Sequence, residues 1–150
     1  MSDVKPCPDN MPWISPYLIV KDAEAAIAFY NQAFGFETRF AMPGPDGKIK
    51  HAELTHKESV IMLGPECPEQ SSSKSPSSLG GSPVSLYVYV EDVDALCERA
   101  RAAGATVAEE PKDQFWGDRM CALIDPDGHN WAFATHVKDV APEEMQPAAA

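Results

Sequence analysis

One pattern limits what this chain can fold into: the same ordered set of elements occurs twice. An apolar run at 17–20 (Tyr17-Leu18-Ile19-Val20) leads to Asp22, a helix-starting residue. Ala23, Ala26, Ile27, Tyr30 and Phe34 then share one helical stripe, and Gly35 ends it. The order returns at 86–90 (Leu86-Tyr87-Val88-Tyr89-Val90), with Asp92 as the cap, Val93, Leu96, Cys97 and Ala100 as the stripe, and Gly104 as the stop. The caps lie 70 residues apart and the stop glycines 69, so the duplication covers a whole supersecondary unit. Segments 37–42, 49–55 and 60–63 read as strands after the first helix, and 106–109, 119–124 and 130–135 after the second. The turns Gly44-Pro45-Asp46-Gly47 and Asp125-Pro126-Asp127-Gly128 fit between strands, because proline presets φ and glycine accepts a positive φ. Each half is therefore βαβββ, and the expected fold class is α+β with two tandem βαβββ modules.

The expected boundaries are 11–65 for the first module and 83–138 for the second. A Ser/Pro/Gly linker at 66–82 joins them, and a frayed tail follows at 139–150. A single such module leaves a sheet face uncovered, so the two are expected to form one domain and the protein to work as a homodimer. The net charge of −11 argues against nucleic acid and anionic membrane surfaces as partners. Residues 1–10 lack the basic and apolar regions of a secretory signal, no apolar run is long enough to span a membrane, and the four cysteines show no metal-like spacing. Free thiols and a cytoplasmic location are the expectation.

The chain resembles the vicinal oxygen chelate superfamily, which includes glyoxalase I, bleomycin-resistance proteins and extradiol dioxygenases. The resemblance runs from about residue 13 to 137. It rests on Val20-Lys21-Asp22 through Ala28-Phe29-Tyr30, on Phe34-Gly35-Phe36, on His51-Ala52-Glu53-Leu54, on Trp116-Gly117-Asp118-Arg119 and on Asp125 through Trp131. Together these look like the glyoxalase/bleomycin-resistance branch often labelled PhnB-like. In metal-binding members, ligands sit early on the first strand and on the last strand of each module. The resemblance carries those positions onto Ser15, Met62, Ser85 and Ala132, where family enzymes have His, Glu or Gln. Two hydroxyls, a thioether and a methyl group do not make a site for a first-row metal. No metal or other cofactor is expected.

The remaining polar and aromatic residues define the candidate site. His51 and Glu53 are two apart on a strand, so both project from one face, with Glu53 as base or acceptor and His51 as donor or acid. The resemblance puts a ligand cavity on the sheet face away from the helix, and its ligand register implies that Ser15, Tyr17, Met62, Ser85, Tyr87 and Tyr89 line it, with Phe115 and Trp116 as an aromatic clamp on an adjoining loop. Arg119 is read either as a contact for an anionic ligand group or as one half of a salt bridge with Asp118, Asp125 or Glu53. His56 and His136 are read as solvated, and His129 as part of a turn. Two functions fit: a metal-free protein that encloses a small, partly aromatic molecule, or a lyase-, isomerase- or dioxygenase-like enzyme using Glu53 and His51 or a displaced metal site.

Overall fold

Asp22 and Asp92 cap the two long helices. Asp22 Oδ1 accepts from the Ala25 N–H at 3.1 Å and Asp92 Oδ1 from the Ala95 N–H at 3.0 Å, each satisfying a donor the helix cannot pair internally. Gly35 and Gly104 end the helices at φ 73° and 108°, left-handed backbone that favours glycine. The computed structural model describes residues 3–146, in two units that divide between Ser75 and Pro76.

The first unit contains β1 (Tyr17–Val20), α1 (Ala23–Phe34), β2 (Glu37–Pro43), β3 (Ile49–His56) and β4 (Ser59–Pro65). Its sheet order is β1-β4-β3-β2, with β1 parallel to β4 and the other pairs antiparallel. The second contains α2 (Pro76–Leu79), β5 (Ser85–Tyr89), α3 (Val93–Ala103), β6 (Thr106–Asp113), β7 (Asp118–Ile124) and β8 (Asn130–His136). Its order, β5-β8-β7-β6, repeats the first sheet's connectivity and strand directions. The fold is thus α+β, two tandem modules each built on a four-stranded sheet.

Strand alternation divides each sheet into a helix-packed face and an open face. In the first unit Leu18, Val20, Ala52, Leu54 and Leu63 are buried with Ala26, Tyr30 and Phe34 of α1. In the second, Cys121, Leu123, Trp131 and Phe133 are buried with Val93, Leu96, Cys97 and Ala100 of α3. Trp131 Nε1 donates to Asp125 Oδ2 at 2.9 Å, which pairs the one polar atom of a fully buried indole. Burial and the neighbouring Cys97 push the Cys121 thiol up to about 12, so it packs as an apolar group.

Two segments differ from the sequence expectation. β6 continues to Asp113 instead of stopping at 109, although it includes Pro111. β6 is an edge strand, and its pairing with β7 skips between Glu109 and Lys112, so the missing N–H of Pro111 costs no ladder bond. Residues 66–82, expected as a solvated linker, are anchored. The Ser75 N–H and Oγ donate to Glu66 Oε1 at 2.8 and 2.9 Å, and the Ser77 N–H donates to the Asp127 carbonyl at 2.9 Å. Ser75 is fully buried there. Of the expected tail, residues 147–150 lie outside the described residues; within 139–146 a short 3-10 turn forms at Pro142–Glu144. Among the described residues no helix is long and apolar enough to cross a membrane.

Candidate functional site

The open face of each sheet carries one polar cluster, built around a tyrosine at the same point of the repeat. Tyr17 lies beside Met62 in the register of the first sheet, and Tyr87 beside Ala132 in the second. Both tyrosines point away from the helix, as their 47% and 44% exposure shows.

On the second sheet the centre is Asp118, 1% exposed. It starts β7 and shares the open face with Met120 and Ala122. Tyr87 Oη donates to Asp118 Oδ2 at 2.7 Å, Tyr89 Oη at 2.8 Å and Trp116 Nε1 at 3.1 Å. Trp116 Nε1 is also 3.2 Å from Tyr87 Oη. His136 Nδ1 meets Asp118 Oδ1 at 2.9 Å, while its Nε2 meets Asp139 Oδ1 at 2.7 Å. Burial alone would raise the Asp118 carboxyl, but the hydrogen bonds from His136, Tyr87, Tyr89 and Trp116 outweigh it and hold it below the usual range. Burial and the bond to Asp118 push the Tyr87 phenol up to about 12, so it stays protonated and donating. His136 is raised, first by Asp139 and then by Asp118, in keeping with two carboxylates that call for a proton on each ring nitrogen. The Phe115 ring packs edge-on against Trp116, centroids 4.9 Å apart, and extends the aromatic surface.

On the first sheet the cluster is a chain. Tyr17 Oη lies 3.1 Å from His51 Nδ1, and His51 Nε2 lies 3.1 Å from Glu53 Oε2. Glu53 Oε1 faces Arg39 Nε at 3.6 Å, and Arg39 Nη1 donates to the Asn10 carbonyl at 2.8 Å. Phe40 and Met42 of β2 pair with Glu53 and His51 and supply apolar flanks. Burial raises the Tyr17 phenol above its ordinary value.

The structure brings together most of the candidates within each unit, but not all. Tyr17, His51, Glu53 and Met62 share one open face; Tyr87, Tyr89, Phe115 and Trp116 gather at the other, with Ser85 exposed on the same strand as the two tyrosines. Arg119 corrects the ligand-contact expectation in favour of the salt-bridge one. It alternates with Cys121 and Leu123 and lies on the helix-packed face, where Nε and Nη2 bind Asp94 at 2.8 and 3.0 Å and Nη1 binds Asp113 at 3.2 Å. Those bonds, Asp94 first, raise its pKa and occupy its guanidinium with partners other than the three expected. His136 is likewise no idle solvated side chain. Asp118 was missed as a site residue because the strand was expected to begin at 119, which left it in a loop. The available signal was an aspartate two residues after Trp116, level with the open-face tyrosines.

The donor set at the superfamily's metal positions does not fit a metal. The buried Ser15 Oγ has no hydrogen-bond partner, but it is a neutral hydroxyl, and Met62, Ser85 and Ala132 add no anionic or imidazole donor. Among the described residues no group of three or more His, Cys, Asp or Glu side chains could hold an ion. Two surface depressions of about 310 and 470 Å³ lie off the open faces, one at Lys5–Trp13 and one around Lys21, Asp46, Lys50 and Glu66.

Two tandem βαβββ modules, each with a polar cluster on the open face of its sheet, define the class of fold. Residues 11–133 match the model of the Glyoxalase/Bleomycin resistance protein/Dioxygenase superfamily, and the chain belongs to that family. It is 45% identical over 139 residues to the uncharacterized proteins Mb0911c of Mycobacterium bovis and Rv0887c of Mycobacterium tuberculosis. That alignment covers 91% of this chain, 91% of the first relative and 82% of the second. Among solved structures, TioX from Micromonospora sp. ML1 superposes with a TM-score of 0.66 at 28% identity, over 83% of this chain and 98% of that one. A glyoxalase/bleomycin resistance protein/dioxygenase family enzyme from Burkholderia phytofirmans shares the fold, with a TM-score of 0.63 at 23% identity over 81% and 95%.

Proposed function

We propose that this chain is a metal-free binding protein of the superfamily's bleomycin-resistance kind, taking a small, partly aromatic molecule on its open sheet faces. The observation that carries the reading is the Asp118 cluster. Tyr87 and Tyr89 are 44% and 55% exposed, yet a buried carboxylate fixes both hydroxyls and the Trp116 indole N–H. Large aromatic side chains held rigid but left uncovered give a preorganised surface for a planar ligand, with little ordering left to pay on binding. The motifs around His51 and Trp116 support the PhnB-like branch. A planar aromatic ligand should quench Trp116 fluorescence, and Tyr87→Ala should weaken its binding about tenfold, roughly one aromatic contact. An aromatic panel that gives neither quenching nor a raised melting temperature, against a carbonyl or thiol-adduct substrate that is turned over, would replace this reading with the enzymatic one. The specific observation favouring that second reading is the His51–Glu53 contact at 3.1 Å.

The protein works as a homodimer in this reading. Trp13 and Ile14, 80% and 88% exposed before β1, offer adjoining apolar surface of the kind that association covers. Light scattering should give twice the 16.3 kDa chain mass, and Trp13→Ser with Ile14→Ser should shift it toward the monomer.

A further inference from the structure

The Tyr17–His51–Glu53 chain has a direction. A carboxylate only accepts, so Glu53 requires the proton of His51 to sit on Nε2. In the neutral ring Nδ1 is then an acceptor, and Tyr17 must donate to it. With its own hydrogen committed, the Tyr17 hydroxyl offers lone pairs to whatever lies on the open face. This is the arrangement of an acidic group, a base and an orienting carboxylate, each within hydrogen-bond reach of the next.

Gly64 shows that the phenol's place is built. Gly64 lies inside β4, where glycine weakens a strand, and it is not among the residues whose positive φ would call for glycine. A Cβ there would stand 2.7 Å from Tyr17 Oη and 3.0 Å from the Lys50 carbonyl. The missing side chain is what lets the hydroxyl lie down on the sheet toward His51. The charged or titratable groups facing His51 are Tyr17 from β1, Glu53 from its own strand and, through Glu53, Arg39 from β2; β4 contributes Met62 and Gly64, which carry none. The Phe40 ring, 6.2 Å from His51, gives a planar ligand a wall.

We infer that the open face of the first sheet is a proton-accepting site for a planar molecule carrying a weakly acidic hydroxyl, a phenol or enol, and that Tyr17 relays the proton to His51. This deepens the binding reading above and rests on it. In the step, the ligand O–H bond breaks and its electron pair stays on the ligand oxygen. That proton joins Tyr17 Oη while the proton of Tyr17 passes to His51 Nδ1. The imidazolium so formed faces the Glu53 carboxylate, and charge and protons balance. Glu53 is a positioning residue here rather than the base.

The test uses the intact protein with 4-nitrophenol, whose phenolate is coloured, and 4-nitroanisole, its methyl ether, as the matched ligand without a proton. Bound 4-nitrophenol should titrate about one pH unit below the free compound, a tenfold shift. His51→Gln and Tyr17→Phe should abolish that shift. Gly64→Ala should reduce it, and nitrogen NMR of His51 should show the Nε2–H tautomer in the wild type and in Gly64→Ala, lost in Glu53→Ala. If 4-nitrophenol binds but titrates as it does free, or binds no better than 4-nitroanisole, the relay is overturned while the aromatic-binding reading stands. An Nδ1–H tautomer in the wild type overturns it as well. If neither compound binds, both readings of this face fall.

Discussion

Asp118→Ala should lower stability by about 2–4 kcal/mol and abolish the ordered aromatic surface of the second sheet. The magnitude follows from removing one ionised acceptor that serves several donors at once. Tyr87 Oη, Tyr89 Oη, Trp116 Nε1 and His136 Nδ1 all lose their partner. A buried carboxylate carries a desolvation cost, so its removal could in principle help. The donors decide the sign: four side-chain groups would lose their acceptor, and the lowered pKa adds that the ionised carboxylate is favoured over the protonated one in the folded state. Because the folded pKa of Asp118 is depressed, its contribution is present above the ordinary carboxylate value near ~4 and is lost as pH falls through the lower folded value. His136 has a raised folded pKa, so its contribution is full below about 6.5 and is lost as pH rises through the folded value. The difference between wild type and Asp118→Ala should therefore be greatest between about pH 4 and 6.5. Denaturant unfolding across that range checks it, with Asp118→Asn, which keeps the shape and drops the charge, expected to lose about half as much. A flat pH dependence would mean the cluster does not act as a unit.

Gly117→Ala should cost about 3 kcal/mol and release the chain after β8. Gly117 sits at φ 100°, and a Cβ there would overlap the carbonyl of Lys138, which is backbone and cannot swing aside. The left-handed backbone alone costs a side chain about 1–2 kcal/mol. The rest comes from the N–H groups of Val137 and Lys138, which donate to the Gly117 carbonyl at 2.9 and 3.0 Å and would be pushed off it. Gly104→Ala is the control: its φ of 108° imposes the same backbone penalty, but nothing lies within 4 Å of the added carbon. It should lose only about 1 kcal/mol. Hydrogen exchange should separate the two, with the Val137 and Lys138 amides deprotected only by the change at Gly117.

What could be read in advance was whatever depends on near neighbours in the chain. The caps Asp22 and Asp92, the stops Gly35 and Gly104, and the stripe Val93, Leu96, Cys97 and Ala100 are local signals, and all hold. The pairing of His51 with Glu53 was legible for the same reason, since alternation puts residues two apart on one face. Partnerships across 25 or more residues were not. Arg119 chose Asp94 on α3, and Asp118 collected Tyr87 and Tyr89 from β5, because register and face decide who meets whom. The length of β6 was hidden as well: the strand runs on past Pro111, which is tolerated at an edge irregularity that only the sheet order reveals. The anchoring of Ser75 to Glu66 was hidden by a composition that reads as linker.

Tyr17 and Tyr87 are 70 residues apart and occupy the same seat in their modules, yet one hydroxyl is turned to an imidazole and the other to a carboxylate. The partners arrive from different points: His51 from within β3, Asp118 from the first residue of β7. Duplication thus copied the residues that make the fold without copying the neighbours that give each phenol its character. The two copies can diverge in chemistry at little structural risk, because the caps and apolar stripes sit behind the sheet and the polar neighbours in front of it.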